Sequence, residues 1–170
     1  MTQLAPSKHS EIWAAVASVP DPEVPVVTIE DLGILRGVSI DESGHIEVTI
    51  TPTYSGCPAM EVITTDITAA LAAHGFKDAT VRSVLAPAWT TDWMSDEGRR
   101  KLLAYGIAPP HPRGTGPVAV TGPVAVTLSV RCPQCGSGDT RELSRFGSTA
   151  CKSLWACSSC LEPFDYFKAL

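Results

Sequence analysis

Six cysteines carry most of the chemistry open to this sequence, and four of them are paired. Cys132 and Cys135 form one CxxC and Cys157 and Cys160 a second, with 21 residues between the pairs. A CxxC turn lets two thiolates reach one ion at about 2.3 Å each, and two such turns complete a tetrahedron. Gly136 follows the second cysteine of the first pair, where the knuckle backbone has to turn sharply. The pattern predicts a metal ribbon, with zinc as the expected ion. Four thiolates would also accept iron or a cluster. A site without other ligands or an open coordination position stabilises a fold and does not catalyse. A ribbon of about 40 residues has too small a core to stand without its ion, so binding and folding should be coupled. Cys151 leaves an alternative open. It could replace one ligand, or be a free thiol buried under the ribbon; the completeness of the second CxxC favours the free thiol.

Cys57 lies apart from the ribbon, at the predicted start of a helix. Unpaired N–H groups and the helix dipole there favour a thiolate. Thr51, Thr53, Tyr54 and Ser55 surround it with hydroxyls. Two readings stand: a reactive thiol or transient ligand of a metal or cluster, and a half-buried cysteine capping the helix. No histidine shares the motif, so a cysteine–histidine catalytic pair gains no local support. Asp21, Glu23, Glu30 and Asp31 put four carboxylates into eleven residues. They could form a metal site or supply a base, but such residues more often cap turns and solvate a loop. Trp89 and Trp93 flank a TTD segment and could make a partner-binding patch or pack in the core. His9, His45, His74 and His111 are scattered, and none forms a ligand pair.

The elements that must position these groups follow from periodicity and breakers. Ser10 suits an N-cap for a helix over 11–19, which Pro20 stops. The three prolines of 21–34 and its flanks exclude a regular helix and predict an extended, rigid loop. Strands are expected over 34–40 and 45–50, paired as a hairpin through the turn 41–44. A strong helix runs from Pro58 to about His74, with Cys57 as N-cap and Gly75 as C-cap. Its buried face should be Val62, Ile63, Ile67, Ala70 and Leu71. Residues 79–85 form a third strand and 95–105 a third helix. A Pro/Gly-rich linker follows at 108–123, and a strand over 124–130 leads into the ribbon. GPVAV occurs twice, at 116–120 and 122–126, as a local duplication. The fold class is therefore α+β: a small mixed-sheet domain over 1–107, the linker, and a C-terminal zinc ribbon over 124–170.

Hydrophobic residues make up 44% of the chain, enough for a packed core. Residues 1–110 carry 7 Lys+Arg against 14 Asp+Glu, a net −7, whereas 111–170 carry 6 against 4, a net +2. The acidic larger part argues against a nucleic-acid binder, which shows a basic face. No apolar run approaches the length of a membrane span, and the first eleven residues lack an apolar signal core. A cytoplasmic protein is expected, with cysteines serving as ligands or thiols and not as disulfides.

The pairing of DPEVPVVTIEDLGIL (21–35) with TPTYSGCP (51–58) resembles the SufT-like iron–sulfur assembly domain family, found in factors that deliver clusters to target enzymes. Three further segments resemble the PaaD (PaaJ) family, the accessory component of the multicomponent phenylacetyl-CoA epoxidase: PAWTTDWMSDEGRRKLLAYGIAPP (87–110), CPQCGS (132–137) and STACKSLWACSSCLEPFDYFK (148–168). The resemblance covers nearly the whole chain. It implies a role in aerobic phenylacetate breakdown beside a di-iron oxygenase and a reductase with a flavin and a [2Fe–2S] cluster. The chain's one Glu-x-x-His, Glu42 to His45, falls in the expected hairpin turn and not on a helix as a di-iron site requires, and there is no Gly-rich nucleotide loop, so the chain does not itself carry the oxygenation or the hydride chemistry. What the resemblance leaves is maturation of the reductase's cluster or of the di-iron centre. It makes Cys57 the functional thiol, supported by Asp21, Glu23, Thr51 and Thr53, with an iron–sulfur cluster or iron as transient cargo. The partners implied are the reductase or oxygenase components, without nucleic acid or membrane. Because assembly domains of this type often pair, a homodimer is expected by analogy. The competing reading is a non-catalytic structural subunit of the epoxidase.

Overall fold

The computed structural model describes residues 7–110 and 130–168. Both GPVAV copies, the expected linker beyond residue 110 and the strand expected over 124–130 lie outside the described residues, apart from Val130. The chain divides into two compact units between Lys101 and Leu102.

The first unit begins with α1 (Lys8–Ala17). Ser7, not Ser10, is its N-cap, because the Ser7 Oγ accepts the Ser10 N–H at 3.3 Å. Residues 20–34 then fold back on themselves and are not simply extended. Pro20 bridges to Thr28, and the Asp21 N–H donates to the Val27 carbonyl at 2.9 Å. This fold-back buries Val24, Val27, Ile29 and Leu32, an apolar gain that the prolines do not announce.

β1 (Leu35–Ile40) and β2 (Ile46–Ile50) form the expected antiparallel hairpin. Strand β2 alternates buried and half-buried residues, so Ile46, Val48 and Ile50 face the core. α2 (Ala59–Ala73) crosses over to β3 (Ala79–Ser83), which pairs parallel with β2. The sheet order is β1-β2-β3, which makes it mixed. Ala59, Ile63, Ile67 and Leu71 form the buried stripe of α2. Val62 is 47% exposed, contrary to expectation, because the stripe holds to i, i+4, i+8 and Val62 falls outside it. Gly75, at φ +87°, follows the C-cap His74.

A short 3-10 turn (Thr91–Trp93) precedes α3 (Asp96–Tyr105). Gly33 is fixed by its surroundings: φ is +70°, and a Cβ there would lie 2.5 Å from the Trp93 carbonyl oxygen.

The second unit is a four-stranded sheet of order β4-β7-β6-β5. Its strands are β4 (Ile107–Ala108), β5 (Thr140–Ser144), β6 (Lys152–Cys157) and β7 (Pro163–Phe167). Residues 107 and 108, at the junction of the expected domain and linker, form β4 and pair parallel with β7. Ala108, Val130, Cys132, Cys157 and Phe164 make its small core, with Trp155, Cys160 and Tyr166 packed against it.

Candidate metal centre and functional thiol

The two CxxC turns of the ribbon are built alike. The Gly136 N–H donates to the Cys132 carbonyl at 2.9 Å, and the Leu161 N–H to the Cys157 carbonyl at 3.0 Å. The residue after each second cysteine takes a left-handed conformation, Gly136 at φ +74° and Leu161 at +67°. The Ser137 and Ser159 hydroxyls join the knuckles at 2.8 Å, a contact that spacing alone does not reveal. All four sulfurs lie within 4.8 Å of one another. Cys132 and Cys160 are 3.7 Å apart, Cys135 and Cys157 3.6 Å. A tetrahedron with metal–sulfur bonds of about 2.3 Å has edges of about 3.8 Å, so the donor set fits a tetrahedral ion. Cys151 is buried against the Thr149 hydroxyl and lies outside this group.

The thiols are electrostatically strained against one another without an ion. The N–H of Cys160, and then that of Ser159, pull the Cys157 thiol down to about 6. Cys160 receives a backbone N–H that lowers its pKa, yet burial and the neighbouring thiols push it up to about 12. Four close sulfurs cannot all ionise without a cation among them, and that is the condition a metal ion relieves.

Cys57 sits half-buried just before α2. Pro58 takes the N-cap, one residue later than expected, and the Cys57 carbonyl accepts the Met60 N–H at 3.3 Å. Burial pushes the thiol up; the Ala59 N–H and the Tyr54 hydroxyl pull it down, and the charges of Glu23 and Asp21 push it up again. The net direction is upward. The thiolate expected at a helix start is therefore overruled, and the thiol is protonated at neutral pH. The charges that act on this sulfur belong to the 21–24 loop, and the hydroxyl that bonds it belongs to Tyr54. Asp21, buried, also closes its own turn, its Oδ1 accepting the N–H groups of Glu23 at 2.9 Å and Val24 at 2.8 Å. Thr51 is buried, its N–H donating to the Ile34 carbonyl at 2.8 Å. Thr53 is half-buried beside a cavity of about 390 Å³ lined by Thr51, Tyr54, Ser55, Leu85 and Trp89.

The other two carboxylates serve the fold. Glu30 accepts the Trp13 indole N–H at 2.8 Å. Asp31 accepts from Lys101 Nζ at 2.6 Å, Ser95 Oγ at 3.1 Å and the Thr28 N–H at 3.0 Å. Among the described residues, the four cysteines are the group whose ligand atoms converge as a metal site would require. Trp89 is core, its Nε1 donating to the Leu32 carbonyl at 2.9 Å, and Trp93 carries the Arg36 guanidinium 3.5 Å above its ring.

Residues 117–168 match the family model described as the PaaD zinc beta ribbon domain. Over 170 residues the chain is 47% identical to an Escherichia coli protein provisionally named as one of the subunits of 1,2-phenylacetyl-CoA epoxidase, covering 100% of this chain and 98% of that one. The chain belongs to the PaaD family. Residues 9–83 of this PaaD-family protein match the iron–sulfur cluster assembly protein model, and that range holds Asp21, Glu23, Thr51, Thr53 and Cys57. The chain is also 39% identical over 97 residues to the Bacillus subtilis Fe-S protein maturation auxiliary factor YitW, covering 56% of this chain and 91% of that one. A crystal structure of the domain of unknown function DUF59 from Bacillus anthracis superposes with a TM-score of 0.51 at 29% identity, over 55% of this chain and 90% of that one. No helix among the described residues is long and apolar enough to cross a membrane.

Proposed function

We propose that this PaaD-family protein is a non-catalytic maturation factor in aerobic phenylacetate catabolism, acting in the cytoplasm on the iron–sulfur cluster or metal centre of the phenylacetyl-CoA epoxidase. The observation that carries this reading is the half-buried Cys57 sulfur, with the Tyr54 hydroxyl as its partner and the charges of Glu23 and Asp21 acting on it, within the range that matches the assembly model. Cys57 handles iron, sulfur or a cluster transiently while the protein docks on the reductase or oxygenase component. Taking up a metal cargo requires the thiol to give up its proton, so a thiol held protonated binds weakly and lets go readily. The ribbon serves stability instead. Cys132, Cys135, Cys157 and Cys160 hold one structural zinc, which supplies folding free energy to a unit with a small core. A homodimer is the expected assembly.

One observation favours the second reading, a structural subunit without thiol chemistry: a protonated Cys57 is a weak nucleophile at neutral pH. Expressing the reductase with this protein, without it, and with Cys57→Ala separates the two. Iron and acid-labile sulfide per reductase are measured. Loss of cluster in both the deletion and Cys57→Ala is the expected result. Loss in the deletion alone makes the protein a docking or folding factor. Unchanged occupancy throughout removes the reductase as client.

A further inference from the structure

We propose that Cys135 is a peroxide-reactive site of the ribbon, and that its oxidation joins it to Cys157 and opens the metal site. Among the four ligands Cys135 is the exposed one: Cys132 and Cys157 are each 2% exposed, and Cys160 is half-buried. Coordination keeps the sulfurs as thiolates, the form that attacks an oxidant, and accessibility then selects which reacts first. Outside the ribbon the competition is weak. Cys57 is half-buried and protonated, and Cys151 is buried behind the Thr149 hydroxyl.

The second sulfur is already in place. Cys157 Sγ lies 3.6 Å from Cys135 Sγ, on the facing knuckle, and a disulfide requires about 2.05 Å. In the first step the Cys135 thiolate attacks one oxygen of hydrogen peroxide. The O–O bond breaks, a sulfenic acid forms, and hydroxide leaves and is protonated to water. In the second step the Cys157 thiolate attacks the Cys135 sulfur. The S–O bond breaks, the disulfide forms, and a second hydroxide becomes water. Two thiolates are oxidised by two electrons in total, and one peroxide is reduced to two waters. Cys132 and Cys160 alone cannot complete a tetrahedron, so they release the ion and take up protons. The strands β5–β7 then lose what holds them, because their core is small. The inference rests on the ribbon holding an ion and is independent of the maturation reading.

The full chain, loaded with one equivalent of zinc, is treated with hydrogen peroxide. Ion release is followed with a chromogenic chelator, and disulfides are mapped by non-reducing peptide mass spectrometry. The expected result is a Cys135–Cys157 disulfide forming in step with release and reversed by a thiol reductant. Cys135→His keeps a donor but removes the reactive sulfur, and release should slow about tenfold. Cys57→Ala should leave the release rate unchanged. A first-formed disulfide that lacks Cys135, release without modification of Cys135, or an unchanged rate in a zinc-loaded Cys135→His protein would overturn the proposal. If the histidine variant does not hold zinc, the disulfide map of the unmodified chain decides alone.

Discussion

At Cys57 two effects oppose each other. The start of α2 favours a thiolate, whereas burial and the charges of Glu23 and Asp21 favour the thiol, and the second set wins. A pKa raised above the ordinary 9.0 has a kinetic signature. Alkylation of Cys57 by iodoacetamide, with the ribbon protected by zinc, should rise about tenfold per pH unit between about pH 7 and 9. Peptide mass spectrometry reads the rate site by site, and a plateau below about pH 8 would show a depressed pKa instead. Glu23→Gln removes a charge that pushes the thiol up, so alkylation at a fixed pH should become faster. The convergence of the four paired cysteines was legible from sequence because two CxxC turns bring their thiols to one point. The direction of the Cys57 shift was not, because it depends first on burial and then on the charges of a loop distant in sequence.

Elements whose cores are set by their own periodicity were also legible. A turn between two strand segments marked β1 and β2, and helical spacing marked most of α2. What escaped was fixed by partners elsewhere in the chain. The start of α1 moved to Ser7, which offers its hydroxyl to the Ser10 N–H, and the 20–34 segment folded back to bury its own valines. Asp31 is the pin of that segment, joining it to Ser95 just before α3 and to Lys101 in the middle of it. Burial raises its carboxyl, but the Lys101 ammonium and the Thr28 and Ser95 donors outweigh this and hold it below 3.8. A folded-state pKa below the unfolded value contributes stability that is present above 3.8 and lost as pH falls through the folded pKa. Asp31→Asn should therefore cost about 2 kcal/mol in urea unfolding at neutral pH. The gap from the unmodified protein should close as the medium is acidified below the ordinary carboxyl range. A gap that stayed constant down to about pH 2 would mean that the carboxylate charge is not what stabilises the segment.

At the scale of the whole molecule, two units fold on different principles. The described residues up to 101 bury an apolar core that includes Ile12, Val27, Ile50, Ile63, Ile67 and Leu71. Among the described residues, the buried cluster of the ribbon holds five residues, and two of them, Cys132 and Cys157, belong to the four-cysteine group. Its four thiols crowd one point, so removing the cation both abolishes the crosslink and restores their mutual repulsion. A strong chelator should therefore melt the second unit alone. Amide hydrogen exchange gives the readout: protection in β5, β6 and β7 is lost, whereas that in β1, β2 and β3 survives. One equivalent of zinc should restore it, since the ligand set is complete within the chain. Survival of the ribbon's protection through chelation would mean that its small core suffices. Loss of protection throughout the chain would instead show that the first unit depends on the ribbon, so that zinc loss disables the Cys57 site together with its own.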